Sequence, residues 1–199
     1  MFINEFQLSS KKDLRQMLRS DVLPPEIYTE EVGSLQKNLD VFLARQTGTW
    51  GTFSSITPEP EISSSLVAAR HINWVYPRLD ADLGIQFYLP GPGEFERGVF
   101  GIEEPLNDPK NYRELSKLSG VLVPGLGFDI FGRRLGRGKG YYDRLLKNWN
   151  GIKVGIAFRS QILAELPEEA HDIKMDYLVT SAGVLQCGQQ QLYSKVRGS

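Results

Sequence analysis

The sequence predicts an α/β protein in which helices cover a layered, mostly parallel β-sheet. Runs with strand character alternate with helical stretches along the chain, which is typical of this class. The run Val121–Val123 is apolar throughout, as expected of a strand buried on both faces. A chain of 199 residues with 41% hydrophobic content can bury one substantial core. We therefore expect a single domain over residues 1–199.

Two helices are predicted near the beginning of the chain. Ser9 and Ser10 can cap a helix that begins near Lys11. Pro24 and Pro25 interrupt it, because proline cannot continue a helix that precedes it. A second helix follows, with an apolar stripe that we interpret as core packing, made of Tyr28, Val32, Leu35, Leu39 and Phe42.

The middle of the chain predicts short strands joined by loops rich in proline and glycine. We expect a strand over residues 49–56, a short helix over 63–69 and a strand over 73–76 that ends at Pro77. Another strand is predicted over residues 85–89, ended by the turn that begins at Pro90.

The last third of the chain continues the alternation. After the strand at 121–124, the sequence predicts a helix over 141–149, a strand over 152–158 and a helix over 160–166. A final strand is predicted over 177–180. Residues 188–199 include three consecutive glutamines, a composition that allows a loose tail.

Residues 132–140 hold the most informative motif, because four glycines alternate there with basic side chains. The glycines are Gly132, Gly136, Gly138 and Gly140, and the basic residues are Arg133, Arg134, Arg137 and Lys139. Glycine lets successive backbone N–H groups turn toward an anion, and the cations add charge-assisted hydrogen bonds. The alternative is a solvated loop without a ligand. The strand before the loop and the helix after it favour a phosphate-binding loop.

Charge and cysteine content narrow the class of ligand and the compartment. The net charge is −1, whereas residues 133–147 carry six basic residues against Asp143 alone. This local excess indicates a small anionic ligand rather than nucleic acid or a membrane surface. The single cysteine, Cys187, excludes an internal disulfide, which suits a reducing cytoplasm. The apolar stretches of the sequence fall far short of the roughly 20 residues that span a bilayer. We also expect the protein to be a monomer.

Two segments together resemble the signature of a known family. Residues 124–129 read P-G-x-x-F-D and residues 134–143 read R-L-G-x-G-x-G-Y-Y-D, which is similar to the 5-formyltetrahydrofolate cyclo-ligases, also called 5,10-methenyltetrahydrofolate synthetases. Weaker matches are the G-I-x-E-P pattern at 101–105, Phe158 with Gln161, and His171 with Asp172. The resemblance implies a three-layer, Rossmann-like sandwich of the sugar-phosphate isomerase and CoA-transferase type.

The resemblance also implies an activity. Members of this family convert 5-formyltetrahydrofolate, with ATP and magnesium, to 5,10-methenyltetrahydrofolate, ADP and phosphate. Phosphorylation of the formyl oxygen makes it a leaving group, and N10 then closes the ring. Two other hypotheses stay open: an enzyme that uses the same nucleotide loop on another substrate, and a non-catalytic module that binds nucleotide or folate.

The family's functional residues map onto this sequence by motif. The resemblance assigns ATP binding to Arg134, Gly136, Arg137, Gly138, Lys139, Gly140, Tyr141 and Tyr142, with Arg134 and Lys139 as the catalytic cations. Lys11 and Arg15 match basic residues that reach the nucleotide phosphates. Asp143 matches a magnesium ligand, with a helix N-terminal acid as the alternative role and Asp129 as the next metal candidate.

The folate side matches less closely. Glu61 and Tyr141 are the predicted substrate contacts, and Glu59 is the alternative carboxylate. Four aromatic residues line either the pterin pocket or the core, with core the favoured role for each: Trp50, Phe53, Trp74 and Phe100. We interpret His171 as a structural hydrogen-bonding residue, because the implied mechanism needs no general base of its pKa.

Overall fold

The structure is a computed structural model that describes residues 10–80, 84–98 and 101–188. The helices in these ranges are α1 (Lys11–Ser20), α2 (Pro25–Leu43), α3 (Ser63–Ala68) and α4 (Tyr141–Leu146). The strands are β1 (Gly48–Gly51), β2 (Ile72–Asp80), β3 (Gly84–Tyr88), β4 (Phe95–Arg97), β5 (Glu103–Pro105), β6 (Tyr112–Arg113), β7 (Gly120–Val123), β8 (Gly127–Asp129), β9 (Arg134–Leu135), β10 (Ile152–Ala157), β11 (Ile162–Leu163), β12 (Tyr177–Thr180) and β13 (Gly183–Gln186).

The main sheet contains eight of the described strands, in the order β13-β12-β10-β7-β1-β2-β3-β6. Its centre is parallel, since each neighbouring pair from β12 to β2 runs in the same direction. The edges are antiparallel, with β13 beside β12 at one edge and the pair β3 and β6 at the other. The predicted mostly parallel α/β sheet is therefore confirmed.

Helices and loops cover both faces of this sheet. Leu122 of β7 packs into the core beneath α2 and α3, whereas Val121 and Val123 face the opposite core, which includes Leu146 of α4. This alternation is the two-residue period of a strand buried on both sides. A third cluster, between α1 and the β8–β9 hairpin, includes Leu14 and Leu135.

The order of the strands defines a switch point between β1 and β7. From β1 the chain moves to β2 through α3 on one face, and from β7 it moves to β10 through α4 on the other face. Because β1 and β7 are neighbours whose connections leave toward opposite faces, the topology predicts a crevice at their carboxyl ends. Open α/β sheets bind ligands in such crevices.

Several elements follow the predictions closely. Ser10 caps α1 by accepting a hydrogen bond from the N–H of Asp13, and α2 begins at Pro25, where the missing N–H has no cost. Strand β12 occupies the predicted residues. The predicted tail lies outside the described residues, apart from Gly188. No helix in the described ranges has the length and apolar character needed to cross a membrane.

Four predictions of element type or extent were wrong. Strand β1 ends at Gly51, β2 continues through Pro77 to Asp80, and α4 ends at Leu146. Beyond Val75, β2 is paired with β3 and has left β1, so Pro77 withdraws no donor from the β1 ladder. The predicted helix over 160–166 is a 3₁₀ turn followed by β11, which pairs with β8.

Candidate functional site

Two loops meet at the crevice between β1 and β7. We call residues 134–143 the glycine loop and residues 52–62 the β1 loop. Arg134 donates from Nη1 to the carbonyl of Pro124, the residue directly after β7, at 3.1 Å. Arg137 donates from Nη2 to the carbonyls of Ile56 and Thr57 in the β1 loop, at 2.6 and 3.0 Å. The predicted phosphate-binding loop is thus located at the switch point.

Arg134 fastens the beginning of the glycine loop to its end. Its Nη2 lies 2.8 Å from Oδ2 of Asp143, and its guanidinium lies 5.6 Å from the centre of the Tyr142 ring. The side chain is only 5% exposed, and its Nε–H has no acceptor among the described residues. A Cβ on Gly136 would lie 2.7 Å from Nη1, so a larger residue there would have to displace this guanidinium.

Two further glycines hold conformations that other residues adopt at a cost. Gly138 has a φ of +103° and Gly140 a φ of +65°. Gly140 directly precedes α4, so the loop turns sharply into the helix. A Cβ on Gly140 would also lie 3.1 Å from Nη1 of Arg144. Both positions therefore have a backbone conformation that favours glycine.

Arg137 and Glu59 form an ion pair that joins the two loops. Nε of Arg137 lies 2.9 Å from Oε1 of Glu59, whose other oxygen accepts the N–H of Ile56 at 3.0 Å. The Glu59 side chain is 4% exposed. Burial raises the pKa of Glu59, while the charge of Arg137 and the backbone hydrogen bond oppose the rise. The carboxylate depends on neighbouring donors to stay charged.

Both tyrosines of the motif lie at the end of the glycine loop. Burial raises the pKa of Tyr142 far above its usual value, the negative charge of Glu59 adds to the rise, and Arg134 opposes it. Tyr142 is therefore a neutral hydroxyl beside Glu59 and Arg134. The ring of Tyr141 lies 5.2 Å from the guanidinium carbon of Arg144. This cation–π contact holds the ring of Tyr141 against the side chain of Arg144 in α4.

Lys139 differs from the loop arginines because its side chain is not held. The residue is exposed, and its ammonium has no ion-pair partner within the described part of the chain. Its carbonyl accepts a hydrogen bond from Arg144 at 2.8 Å, so the backbone is fixed while the side chain stays available. A flexible cation of this kind can follow a phosphate group.

The two basic residues predicted on α1 have different surroundings. Arg15 donates from Nε to the carbonyl of Gly136 at 3.0 Å and so lies at the glycine loop. Lys11 instead lies 2.5 Å from Oδ2 of Asp172 and 3.5 Å from Glu169. Burial acts to raise the pKa of Asp172, but the hydrogen bonds from Lys11 and from the N–H of Glu169, together with nearby positive charge, outweigh it and lower the pKa. The structure does not bring Lys11 to the loop.

Of the two candidate carboxylates for folate, the structure brings Glu59 to the glycine loop. Glu61 is exposed, and its Oε1 accepts the N–H of Ser63 at 2.7 Å at the beginning of α3. It therefore lies at the N-terminus of α3, where an acidic side chain is favourable. The sequence held a signal in favour of Glu59, because aligning it with the family's folate-contacting glutamate requires a smaller deletion before Tyr76 than aligning Glu61 does.

The two candidate metal ligands differ in their surroundings. Asp143 keeps Oδ1 without a partner among the described residues, while Oδ2 pairs with Arg134. Asp129 is fully buried, and its oxygens accept the N–H groups of Phe131, Arg133 and Leu166 at 2.9 to 3.0 Å. Because these bonds engage both of its oxygens, Asp129 is less suited to hold a metal than Asp143.

The remaining predicted residues lie mainly in the core or at the surface. Trp50 and Phe53 are buried beneath α2 and α3, and Trp74 donates from its ring to the carbonyl of Leu66 at 3.0 Å. Phe100 lies outside the described residues. His171 is 64% exposed, and its Nε2 lies 3.2 Å from Glu169. The contact between His171 and Glu169 therefore lies at the protein surface.

One residue at the loop was not predicted. Arg19 donates from Nη2 to the carbonyl of Arg137 at 2.8 Å. It follows Arg15 by four residues, so both lie on one face of α1. This spacing was a signal in the sequence, since Lys11, Arg15 and Arg19 repeat at every fourth position.

Together, the fold and these contacts define an α/β protein with a cation-lined crevice at its switch point. Residues 10–181 match the model of the 5-formyltetrahydrofolate cyclo-ligase family. The chain belongs to this family.

Individual relatives agree with the family match. The chain is 41% identical over 86 residues to the 5-formyltetrahydrofolate cyclo-ligase of Escherichia coli K12, covering 42% of this chain and 47% of the relative. It is 40% identical over 96 residues to that of Haemophilus influenzae, covering 46% and 51%. The chain thus spans about half the length of the curated relatives it matches.

Solved structures extend the likeness over most of the fold. The 5,10-methenyltetrahydrofolate synthetase of Aquifex aeolicus is 30% identical, with a TM-score of 0.77 over 90% of this chain and 93% of that one. The synthetase of Mycoplasma pneumoniae is 23% identical, with a TM-score of 0.69 over 87% and 99%, and supports the fold alone.

Proposed function

We propose that this protein converts 5-formyltetrahydrofolate to 5,10-methenyltetrahydrofolate at the expense of ATP, as a monomer of one domain in the cytoplasm. The observation that carries the proposal is the family match over residues 10–181, because this stretch contains both loops of the crevice. A single cysteine is compatible with a reducing compartment, and burial raises the pKa of its thiol to about 12.

The reaction needs activation of a poor electrophile. Transfer of the γ-phosphoryl group from ATP to the formyl oxygen releases ADP and turns that oxygen into a leaving group. The N10 lone pair then attacks the formyl carbon, the bond from this carbon to the phosphorylated oxygen breaks, and N10 loses its proton. Phosphate leaves, and the product is a conjugated amidinium cation. The protein has to align the reacting groups and offset the charge on the phosphoryl oxygens.

Each side of the crevice suits one part of this task. The backbone N–H groups of the glycine loop and the free ammonium of Lys139 would hold the phosphates. Arg134 would keep Asp143 and the loop in place and add positive charge from a water-poor position. Glu59 would exchange Arg137 for N–H donors of the pterin ring, because its buried carboxylate requires donors.

Asp143 fits the requirements of a magnesium ligand. Magnesium bound with nucleotide usually takes one or two carboxylate oxygens and leaves its other positions to phosphates and water. Oδ1 of Asp143 is one such oxygen, and the pairing of Oδ2 with Arg134 fixes the orientation of the carboxylate. When bound, the metal would neutralise charge on the phosphates.

The direct test is to mix the purified protein with 5-formyltetrahydrofolate, ATP and magnesium. We expect the near-ultraviolet absorbance of the methenyl product to appear and to require all three additions. Replacing ATP with an uncleavable analogue should abolish it, because phosphorylation precedes ring closure. Turnover at an equal rate without ATP would refute the proposal. ATP binding without turnover would favour another substrate or a non-catalytic module.

Asp143→Asn should raise the magnesium concentration that gives half-maximal rate by about tenfold and lower the maximal rate. Asparagine keeps the shape but loses the negative charge that the cation requires. The measurement is the initial rate as a function of magnesium at saturating ATP. Asp21→Asn, which makes the same change at an exposed residue beyond α1, should leave this dependence unchanged. Destabilisation with unaltered magnesium dependence would assign Asp143 to the fold alone.

A further inference from the structure

We propose that Arg15 and Arg19 are positioning residues, which orient the glycine loop so that the backbone N–H groups of Arg137 and Gly138 face the nucleotide phosphates. This inference rests on the proposed function and adds to it a role for α1. Neither guanidinium needs to contact the phosphate for this role, because each acts through a carbonyl of the loop.

The contacts link one face of α1 to two consecutive carbonyls. Arg15 donates from Nε to the carbonyl of Gly136 at 3.0 Å, and Arg19 donates from Nη2 to the carbonyl of Arg137 at 2.8 Å. An adjacent face of the helix is anchored, since Leu14 and Leu18 are buried against the β8–β9 hairpin. The two arginines therefore extend from a fixed helix, and the carbonyls they bind are held toward α1.

The orientation of the N–H groups follows from the planar trans peptide. The C=O of one residue and the N–H of the next point in opposite directions across the same peptide plane. With the carbonyls of Gly136 and Arg137 directed at α1, the N–H groups of Arg137 and Gly138 are directed away from it. Neither N–H donates to an acceptor among the described residues. Two adjacent N–H groups that share a direction form an anion-binding concavity.

The cations around the glycine loop also favour a bound anion. Arg15, Arg19 and Lys139 all lie on or beside the glycine loop, and none has a carboxylate partner within the described ranges. A Cβ on Gly138 would lie 3.6 Å from Nε of Arg15, so α1 and the loop approach closely. Positive charges on neighbouring groups repel one another, and a polyphosphate bound at the loop would reduce that repulsion.

The test compares Arg19→Ala with Arg19→Lys and with Lys12→Ala. Lys12 is an exposed cation that lines the same surface cavity as Arg15 and Arg19 but makes no hydrogen bond to the loop among the described residues, so its removal controls for charge alone. The readouts are the Kd of inorganic tripolyphosphate by calorimetry, the KM for ATP, the KM for the folate substrate and the thermal midpoint.

We expect Arg19→Ala to raise the tripolyphosphate Kd and the KM for ATP about fivefold to tenfold, which corresponds to one hydrogen bond that acts through the loop. By contrast, the KM for the folate substrate should change by less than about twofold. Arg19→Lys should recover part of the affinity, since an ammonium can donate to the same carbonyl. Lys12→Ala should change either constant by less than about twofold.

Two results would overturn the inference. Equal weakening by Arg19→Ala and Lys12→Ala would mean that Arg19 contributes charge only. A lower thermal midpoint with an unchanged tripolyphosphate Kd would mean that Arg19 merely ties the loop to the helix. If the wild-type protein showed no turnover, the proposed function would fail, whereas the calorimetric comparison would still decide the role of Arg19.

Discussion

Replacing Arg134 with alanine is expected to lower turnover by about hundredfold or more and the free energy of unfolding by about 3 kcal/mol. The change removes the partner of Asp143, whose side chain is only 15% exposed, and a donor to the strand end at Pro124. A largely buried carboxylate is then left unpaired, and the glycine loop loses the bond that joins its two ends. Turnover follows from product absorbance, and stability from denaturant unfolding.

Arg133→Met is the matched control for this variant. Arg133 precedes Arg134 and also pairs with a buried carboxylate, Asp129, at 2.9 Å. Its contacts with Glu165 and Leu166 lie outside the two crevice loops. The control should therefore lose a similar amount of stability and keep near-normal turnover per folded molecule. If both variants lost turnover equally, Arg134 would matter only for stability.

Much of the fold was predictable because its signals are local. Val121–Val123 is apolar without interruption, and this pattern identifies a strand covered on both faces. Ser10 and Pro25 mark helix beginnings by their own hydrogen-bonding chemistry. The glycines of the motif likewise indicate a backbone conformation that other residues adopt at a cost.

The errors arose where distant contacts decide the local structure. The helix predicted over 160–166 is replaced because Gln161 reaches back to the N–H of Phe158 and donates to the carbonyls of Gly125 and Leu126. These bonds bring Ile162–Leu163 beside β8, where they pair as a strand. Helix propensity is a weak preference that such tertiary contacts override.

The same limit applies to the site. The four-residue spacing of Lys11 and Arg15 correctly places both on one face of α1, but spacing does not reveal what that face meets. Lys11 meets Asp172, a residue 161 positions away in the sequence. Arg137 meets Glu59 across 78 positions. Pairs of this kind depend on how distant segments fold against one another, and no local sequence pattern encodes that.

The choice between Glu59 and Glu61 gives the second large prediction. Glu59→Gln should lower kcat/KM for the folate substrate roughly hundredfold, mainly through KM. A carboxylate offers two acceptor oxygens, whereas glutamine replaces one of them with a donor. In a buried position, the N–H donors of the substrate would then meet an N–H group. The measurement is the rate as a function of folate at saturating ATP and magnesium.

Stability against pH provides a second readout of the same variant. Burial raises the pKa of Glu59 above its ordinary value of 4.5, so the folded state holds the proton more tightly than the unfolded state. The stability from this proton is fully present below the ordinary pKa and is lost as pH rises through the raised pKa. Relative to Glu59→Gln, which does not titrate, the wild-type protein should become less stable as pH increases across this window.

Glu61→Gln is the control, because its exposed side chain can still accept the N–H of Ser63 through its amide oxygen. We expect normal folate kinetics for this variant and a change in stability below about 0.5 kcal/mol. If Glu61→Gln raised the folate KM while Glu59→Gln left it unchanged, the motif-based assignment of Glu61 would be correct. The ion pair between Glu59 and Arg137 would then serve only to hold the two loops together.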